Sequence, residues 1–369
     1  MSQTRLTRWG LLGAADIARK NWKSILLSGN GVVAAVASRE LAQSEAFIRE
    51  NQAHAPMPVA PKACAGYEAV VTDPAIDAVY VPVPTALRGE WVIRAARAGK
   101  HVLCEKPCAR DAAELTRMLE ACRDAGVQFM DGVMFMHSRR LNAMQTALHE
   151  EKAIGRIQRI TSAFSFCGDE GFLNKNIRLH SGLEPHGSVG DLGWYNIRYT
   201  LAVLGETLPR RVQGRLLKEA GRPDSPGPVP LELTAEMEFD GGVSAGFYCS
   251  FNAGDQQWAR VSGTEGSLVI DDFVLPFFGS QVRFQIEKAS FHKYGSDFNM
   301  EPAHRVVAVS EYSNSYPNAQ ESLMFRRFNH LAQSGKPDPY WPECAMRTQR
   351  VMDAILRSAR SGGGPVELA

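Results

Sequence analysis

The sequence predicts a two-domain protein: a doubly wound α/β domain with a parallel sheet over residues 1–131, then an α+β domain with a large, mostly antiparallel open sheet over residues 132–369. Three observations carry this expectation. A chain of 369 residues exceeds what one hydrophobic core serves efficiently, so two domains are the natural division. Up to about residue 131, short β-branched runs alternate with longer amphipathic stretches, the pattern of βαβ units. Beyond about residue 155 the pattern changes to longer alternating runs joined by tight turns.

In the first part, strands are expected at residues 9–13, 32–38, 78–82, 101–105 and 128–132, with helical stretches between them. Residues 93–98 end at Gly99, a usual C-cap, and 111–125 end at Gly126 after Leu115, Met118, Leu119 and Cys122 at helical spacing. In the second part, strands are expected at 157–167, 212–216, 231–239, 243–251, 257–263 and 267–273. Asp240-Gly241-Gly242 and Thr264-Glu265-Gly266 read as hairpin turns, and the proline-rich stretch 222–230 as a surface loop. A last helix, 344–360, carries Met346, Val351, Met352, Ile355 and Leu356 as an apolar stripe and is expected to pack back on the first domain.

Composition excludes several classes. Apolar residues at 44% and charged residues at 22% are those of a folded globular chain, not a disordered or collagenous one. Forty-one basic residues against 40 acidic ones, dispersed along the chain, leave no field for a polyanion, so no nucleic-acid partner is expected. No apolar run approaches a membrane span, and the polar start Met1-Ser2-Gln3-Thr4-Arg5 does not read as a signal peptide. Seven scattered cysteines without a C-x-x-C pair read as reduced thiols of a cytoplasmic protein, and nothing in the Cys and His spacing implies a metal.

The first strand leads into Gly13-Ala14-Ala15-Asp16-Ile17-Ala18, a glycine-poor form of the Rossmann dinucleotide loop. Small residues let the backbone approach a pyrophosphate while helix N-terminal N–H groups point at its charge. The second strand ends Ala37-Ser38-Arg39-Glu40, where an acidic residue serves the ribose of an NAD enzyme. Ser38 and Arg39 suit a 2′-phosphate, which favours NADP over NAD. Other uses of these residues remain open: Ser38 as a helix cap, Arg39 as a solvated side chain, Glu40 as an NAD ribose ligand.

The segment Gly99-Lys100-His101-Val102-Leu103-Cys104-Glu105-Lys106-Pro107 is the most informative. It is followed by Asp131-Gly132-Val133-Met134 and Gly187-Ser188-Val189-Gly190-Asp191-Leu192-Gly193-Trp194-Tyr195, and preceded by Val81-Pro82-Val83-Pro84-Thr85. In these motifs, and in their order, the chain resembles the glucose-fructose oxidoreductase/inositol dehydrogenase (Gfo/Idh/MocA) family. The tyrosine at 195, where many members have histidine, brings it nearest to the dimeric dihydrodiol dehydrogenase and glucose-fructose oxidoreductase branch.

The resemblance implies a nicotinamide-dependent oxidoreductase acting on a small polyhydroxylated substrate: a sugar, cyclitol or dihydrodiol. Lys106, at the carboxyl end of a parallel strand, sits where such sheets bind ligands, and its cation can stabilise a developing alkoxide. Tyr195 is expected to exchange the proton, with Lys106 lowering the pKa of its phenol. Asp191, four residues before Tyr195 and on the same face if the segment is a regular helix, is expected to accept a substrate hydroxyl. Cofactor contacts are expected from Gly13, Ala14, Ala15, Asp16, Ile17, Ser38, Arg39, Pro82, Pro84, Thr85, Glu105, Lys106 and Pro107. Asn176, Arg178, Asp191 and Trp194 are expected on the substrate side, with His186 as a rival acid/base.

One departure stands out. The family's usual Pro-Asn-x-x-His is Pro84-Thr85-Ala86-Leu87-Arg88 here, with Thr85 able to bond a ribose or amide and Arg88 expected on the helix surface. Two alternatives also stay open: a cofactor-retaining sugar oxidoreductase or redox-assisted glycosidase, and a non-catalytic NADP-sensing regulator. A homodimer or homotetramer through the C-terminal sheet is the expected assembly.

Overall fold

The computed structural model describes residues 5–368, so the polar start Met1-Ser2-Gln3-Thr4 lies outside the described residues. The chain forms two compact units, and neither is one continuous stretch. The first gathers residues up to 137, 182–185 and 314–349; the second gathers 138–181, 186–313 and the chain from 350.

In the first unit the elements alternate as expected: β1 (Thr7–Leu12), α1 (Asp16–Leu27), β2 (Gly31–Ser38), α2 (Leu41–His54), β3 (Lys62–Ala65), α3 (Glu68–Val71), β4 (Ala78–Val81), α4 (Thr85–Arg97), β5 (His101–Cys104), α5 (Ala112–Asp124) and β6 (Phe129–Asp131). The six strands pair in the order β3-β2-β1-β4-β5-β6, all parallel. β4 is buried at every position, as a parallel strand covered on both faces requires. Strand order reverses between β1 and β4, which makes the carboxyl end of β1 the switch point where such sheets bind ligands.

The division differs from a single boundary near residue 131, and β1 shows why. Trp9 is fully buried, and its indole N–H needs an acceptor. That acceptor is Asn329 Oδ1 at 2.9 Å, on the helix Gln320–Gln333, whose Phe325 also packs edge-on against Trp9 at 5.2 Å. This late helix therefore belongs to the first unit. The helix Tyr340–Arg360 is shared: its residues to 349 count with the first unit and the rest with the second.

The second unit contains α6 (Arg139–Gln145), β7 (Ile157–Cys167), α7 (Glu170–Lys175), α8 (Trp194–Val203), β8 (Arg211–Ala220), β9 (Val229–Glu238), β10 (Ser244–Ser250), β11 (Asn252–Gly263), β12 (Ser267–Ile270), β13 (Gln281–Tyr294), β14 (Asp297–Ser310) and β15 (Val366–Glu367). Its nine-stranded sheet runs β14-β13-β12-β11-β7-β10-β9-β8-β15. Only the β7–β10 pair is parallel. Both expected hairpins form, closing on Ser244↔Glu238 and Ser262↔Ser267. Sequence patterning missed β13 and β14. Beyond the Ser267↔Glu287 pair these two strands bond only each other, as a ribbon carrying exposed Phe291, Phe298 and Met300.

A buried ion pair pins the root of that ribbon. Arg140 of α6 is 2% exposed and meets Asp272 Oδ1 at 2.5 Å, while its other nitrogen donates to the Asp272 carbonyl at 2.8 Å. Asp272 Oδ2 in turn accepts the Phe277 N–H at 2.7 Å, so both carboxylate oxygens are satisfied. All seven cysteines are free thiols, and six are buried.

Candidate active site

In the first unit, the turn after β1 is built for close approach. Gly13 has φ of 131°, a conformation that L side chains rarely adopt. α1 starts at Asp16 with Ala15 as N-cap and no side chain capping it, and both Asp16 and Ile17 are exposed. The Ala18 N–H turns back on the Ala15 carbonyl at 2.9 Å, which leaves the N–H groups at the very start of the helix to meet an external acceptor, as a pyrophosphate requires. Ser38 is 3% exposed and donates its hydroxyl to the Glu40 carbonyl at 2.6 Å, so it shapes the turn that carries Arg39. Glu40 is the N-cap position of α2, and Arg39 is exposed beside it. Tyr67, which the sequence did not single out, has its hydroxyl 4.0 Å from where a Gly13 Cβ would stand. Burial pushes that phenol up and the nearby Arg39 charge opposes the shift, so Gly13, Arg39 and Tyr67 share the carboxyl edge of the sheet. These residues fit a dinucleotide with an anionic ribose substituent.

The Glu-Lys-Pro turn after β5 is held from below. Asn21 Nδ2 donates to Tyr80 Oη at 2.7 Å, Tyr80 donates to Glu105 Oε1 at 2.5 Å, and the Lys106 N–H donates to Glu105 Oε2 at 3.2 Å. Burial first, then the Glu105 charge, holds the Tyr80 phenol well above its ordinary value, so it stays a donor. Glu105 is therefore a buried support for the turn. Lys106 is half-buried, Pro107 is buried and the bond between them is cis.

Two expectations are corrected at α4. Thr85 is fully buried and its hydroxyl donates to Glu184 Oε2 at 2.5 Å, which leaves it placed for holding the turn and not for bonding a ribose. Arg88, expected on the surface, is 5% exposed, with Nε donating to the Val83 carbonyl at 2.8 Å and Nη1 bonding Thr85 Oγ1 and the Pro107 carbonyl. Pro82 is buried, and Pro84 is the N-cap of α4.

In the second unit, Asp191 lies in a wide π-helical turn, Val189–Gly193, that runs into α8 with Tyr195 in its first turn. The expected regular helix is thus loosened by one hydrogen-bond step at Asp191. Gly187 opens the turn at φ of 49°, where a Cβ would lie 2.2 Å from the Pro230 carbonyl oxygen, so only glycine fits. Arg178 Nε meets Asp191 Oδ2 at 2.7 Å. Asn176 spends its side-chain oxygen on the Arg178 N–H at 3.0 Å, capping the short turn Ile177–Leu179. Tyr195 is 7% exposed and packs near Phe164, ring centres 5.8 Å apart.

Trp194 is 0% exposed: every residue of α8 is buried, so its indole is core and not a pocket wall, which corrects the expectation. His186 is also buried, and its carbonyl accepts the Val189 N–H at 3.1 Å as the π-turn begins. Burial pushes the Cys249 thiol up to about 12, with the Asp191 charge adding, which leaves it an unreactive neighbour of that carboxylate. Among the described residues, no cluster of three or more Cys, His, Asp or Glu is arranged to hold a metal.

A phosphate cradle at the switch point of a doubly wound sheet, with a lysine at the mouth of β5, defines a dinucleotide-dependent oxidoreductase. The chain belongs to the Gfo/Idh/MocA family: residues 7–133 match its NAD-binding Rossmann-fold oxidoreductase domain and 144–269 its C-terminal domain. It is 30% identical to D-xylose 1-dehydrogenase (NADP(+)) 2 of Haloferax volcanii, over 98% of this chain and 99% of that protein. It is 33% identical to dTDP-3,4-didehydro-2,6-dideoxy-alpha-D-glucose 3-reductase of Streptomyces violaceoruber, over 85% and 86% of the two chains. A 3-ketoreductase from Actinomadura kijaniata, crystallised with NADP and TDP-benzene, shares the fold with a TM-score of 0.79, at 24% identity over 96% and 98% of the chains.

Proposed function

We propose that this oxidoreductase transfers hydride reversibly between NADP and a secondary alcohol or carbonyl of a sugar, cyclitol or dihydrodiol. The observation that carries the proposal is Lys106, presented at the end of β5 by a buried Asn21–Tyr80–Glu105 chain in a family of nicotinamide enzymes. NADP, when bound, supplies or takes the hydride. The Lys106 ammonium holds the substrate oxygen and stabilises negative charge on it. Tyr195 passes the proton to or from that oxygen, and Asp191, oriented by Arg178, accepts a neighbouring hydroxyl. The α1 N-terminus receives the pyrophosphate and Arg39 the 2′-phosphate. Relatives named for NADP and for sugar substrates support the cofactor and the substrate class.

Fluorescence titration with NADPH and NADH, followed by an absorbance screen of aldoses, inositols and diols, tests this reading. Arg39→Ala is expected to weaken NADPH binding about tenfold to a hundredfold, the value of a charged hydrogen bond, and to leave NADH unchanged. Equal losses for both would remove the preference for NADP.

The same proposal places a homodimer or homotetramer contact on the open sheet of the second unit. On the ribbon, Phe291 stands directly opposite Met300 and Phe298 opposite Lys293, an apolar strip on a two-stranded element that is marginal in water by itself. Sedimentation velocity at micromolar concentration is expected to give two or four chains, and a monomer would sink this assembly. Seven free thiols, six of them buried, suit a cytoplasmic setting.

A further inference from the structure

We infer that Arg88 and Glu184 form a positioning pair for Lys106, clamping the Pro107 carbonyl one residue after the lysine as Glu105 clamps the lysine's own N–H. The inference rests on the reading of Lys106 as catalytic.

Arg88 is a buried guanidinium, and a buried cation is costly unless paired and fully hydrogen-bonded. Its fork meets three separate stretches of the first unit. Nε donates to the Val83 carbonyl at 2.8 Å, beside β4. Nη1 donates to the Pro107 carbonyl, one residue past Lys106, and to Thr85 Oγ1 at 3.0 Å. Nη2 lies 3.9 Å from Glu184 Oε1. The compensating carboxylate thus comes from the segment 182–185, which the chain inserts into this unit from elsewhere in the sequence.

Glu184 is itself fixed. Its two oxygens take the Thr85 N–H at 3.0 Å and the Thr85 hydroxyl at 2.5 Å, and the Leu183 carbonyl takes the Ala86 N–H at 3.1 Å. The carboxylate therefore sits at the N-terminus of α4, where the helix dipole favours negative charge. The outcome is one rigid joint. Lys106 hangs between Glu105, which holds its own N–H, and Arg88, which holds the carbonyl of Pro107. A lysine at 88 would bring charge without the planar fork, and could not satisfy Val83, Thr85 and Pro107 together.

The test is steady-state kinetics with NADPH titration on folded variants. Arg88→Lys is expected to lower kcat about tenfold or more, because a misplacement of about 1 Å at a reacting group costs up to about a hundredfold. The dissociation constant for NADPH and the KM for substrate should stay within about twofold. Glu184→Gln should lower kcat in the same way, and Arg88→Lys combined with Glu184→Gln should be no worse than Arg88→Lys alone, because both act through one joint. Should Arg88→Lys not fold, Glu184→Gln carries the measurement. Wild-type kcat in the folded variants, or a loss confined to KM and NADPH affinity, overturns the inference. Lys106→Ala separates the two levels: an active Lys106→Ala removes the catalytic reading itself, whereas an inactive one beside a fully active Arg88→Lys removes only the positioning role.

Discussion

Lys106→Ala is expected to lower kcat by about 10²–10³-fold, the usual cost of removing one preorganised group from a site of developing charge. The protein should still fold, because Val102, Leu103 and Cys104 remain buried in β5 and the Tyr80–Glu105 bond does not involve the lysine side chain. Tyr195→Phe is expected to lose about 10²–10⁴-fold, since the ring keeps its packing beside Phe164 and only the hydroxyl proposed to transfer the proton goes. Steady-state rates at saturating substrate and cofactor check both. Native rates in the two variants would show that the chemistry lies elsewhere.

Arg140→Ala should destabilise the second unit by about 3–5 kcal/mol, the range for leaving one partner of a buried ion pair alone. Arg140 and Asp272 expose only 2% and 10% of their side chains, and the guanidinium also serves the carbonyls of Asp272 and Arg283. The double variant Arg140→Ala with Asp272→Ala should lose clearly less than the sum of the single losses, because each single change strands the other partner. Chemical denaturation of all four proteins measures this. A loss below about 1 kcal/mol for Arg140→Ala would mean that water reaches the pair.

What was legible in the sequence depended on whether a residue's role is set locally. β4 is a short, wholly apolar run at the centre of the parallel sheet, and it is visible for that reason. Gly13, Arg39 and Glu105-Lys106-Pro107 are visible because each stands at a strand end, and strand ends can be found by counting. β3 escaped notice because only Cys64 of its four residues is buried. β13 and β14 escaped because their outer halves are exposed on both faces, which erases the alternation by which a strand is recognised.

Arg88, Tyr67 and Glu184 were misjudged or missed for a different reason. A charged or phenolic side chain is buried only if a distant partner repays its desolvation, and the partner of Thr85 and Arg88 lies almost a hundred residues on. Trp194 was expected on the substrate side and lies in the core. α8 is buried all round, and such a helix gives no sequence sign of which face meets a ligand.

The late helix that covers β1 also imposes an order on biosynthesis. Trp9 leaves the ribosome well before its partner, and the amide that receives its indole N–H is made 320 residues later, an interval of tens of seconds at about 5–20 residues per second. During that interval the nascent dinucleotide-binding sheet waits with an apolar flank bare, a state that chaperones recognise and that aggregation competes for. A gene shortened to end after residue 131 would make that transient state permanent.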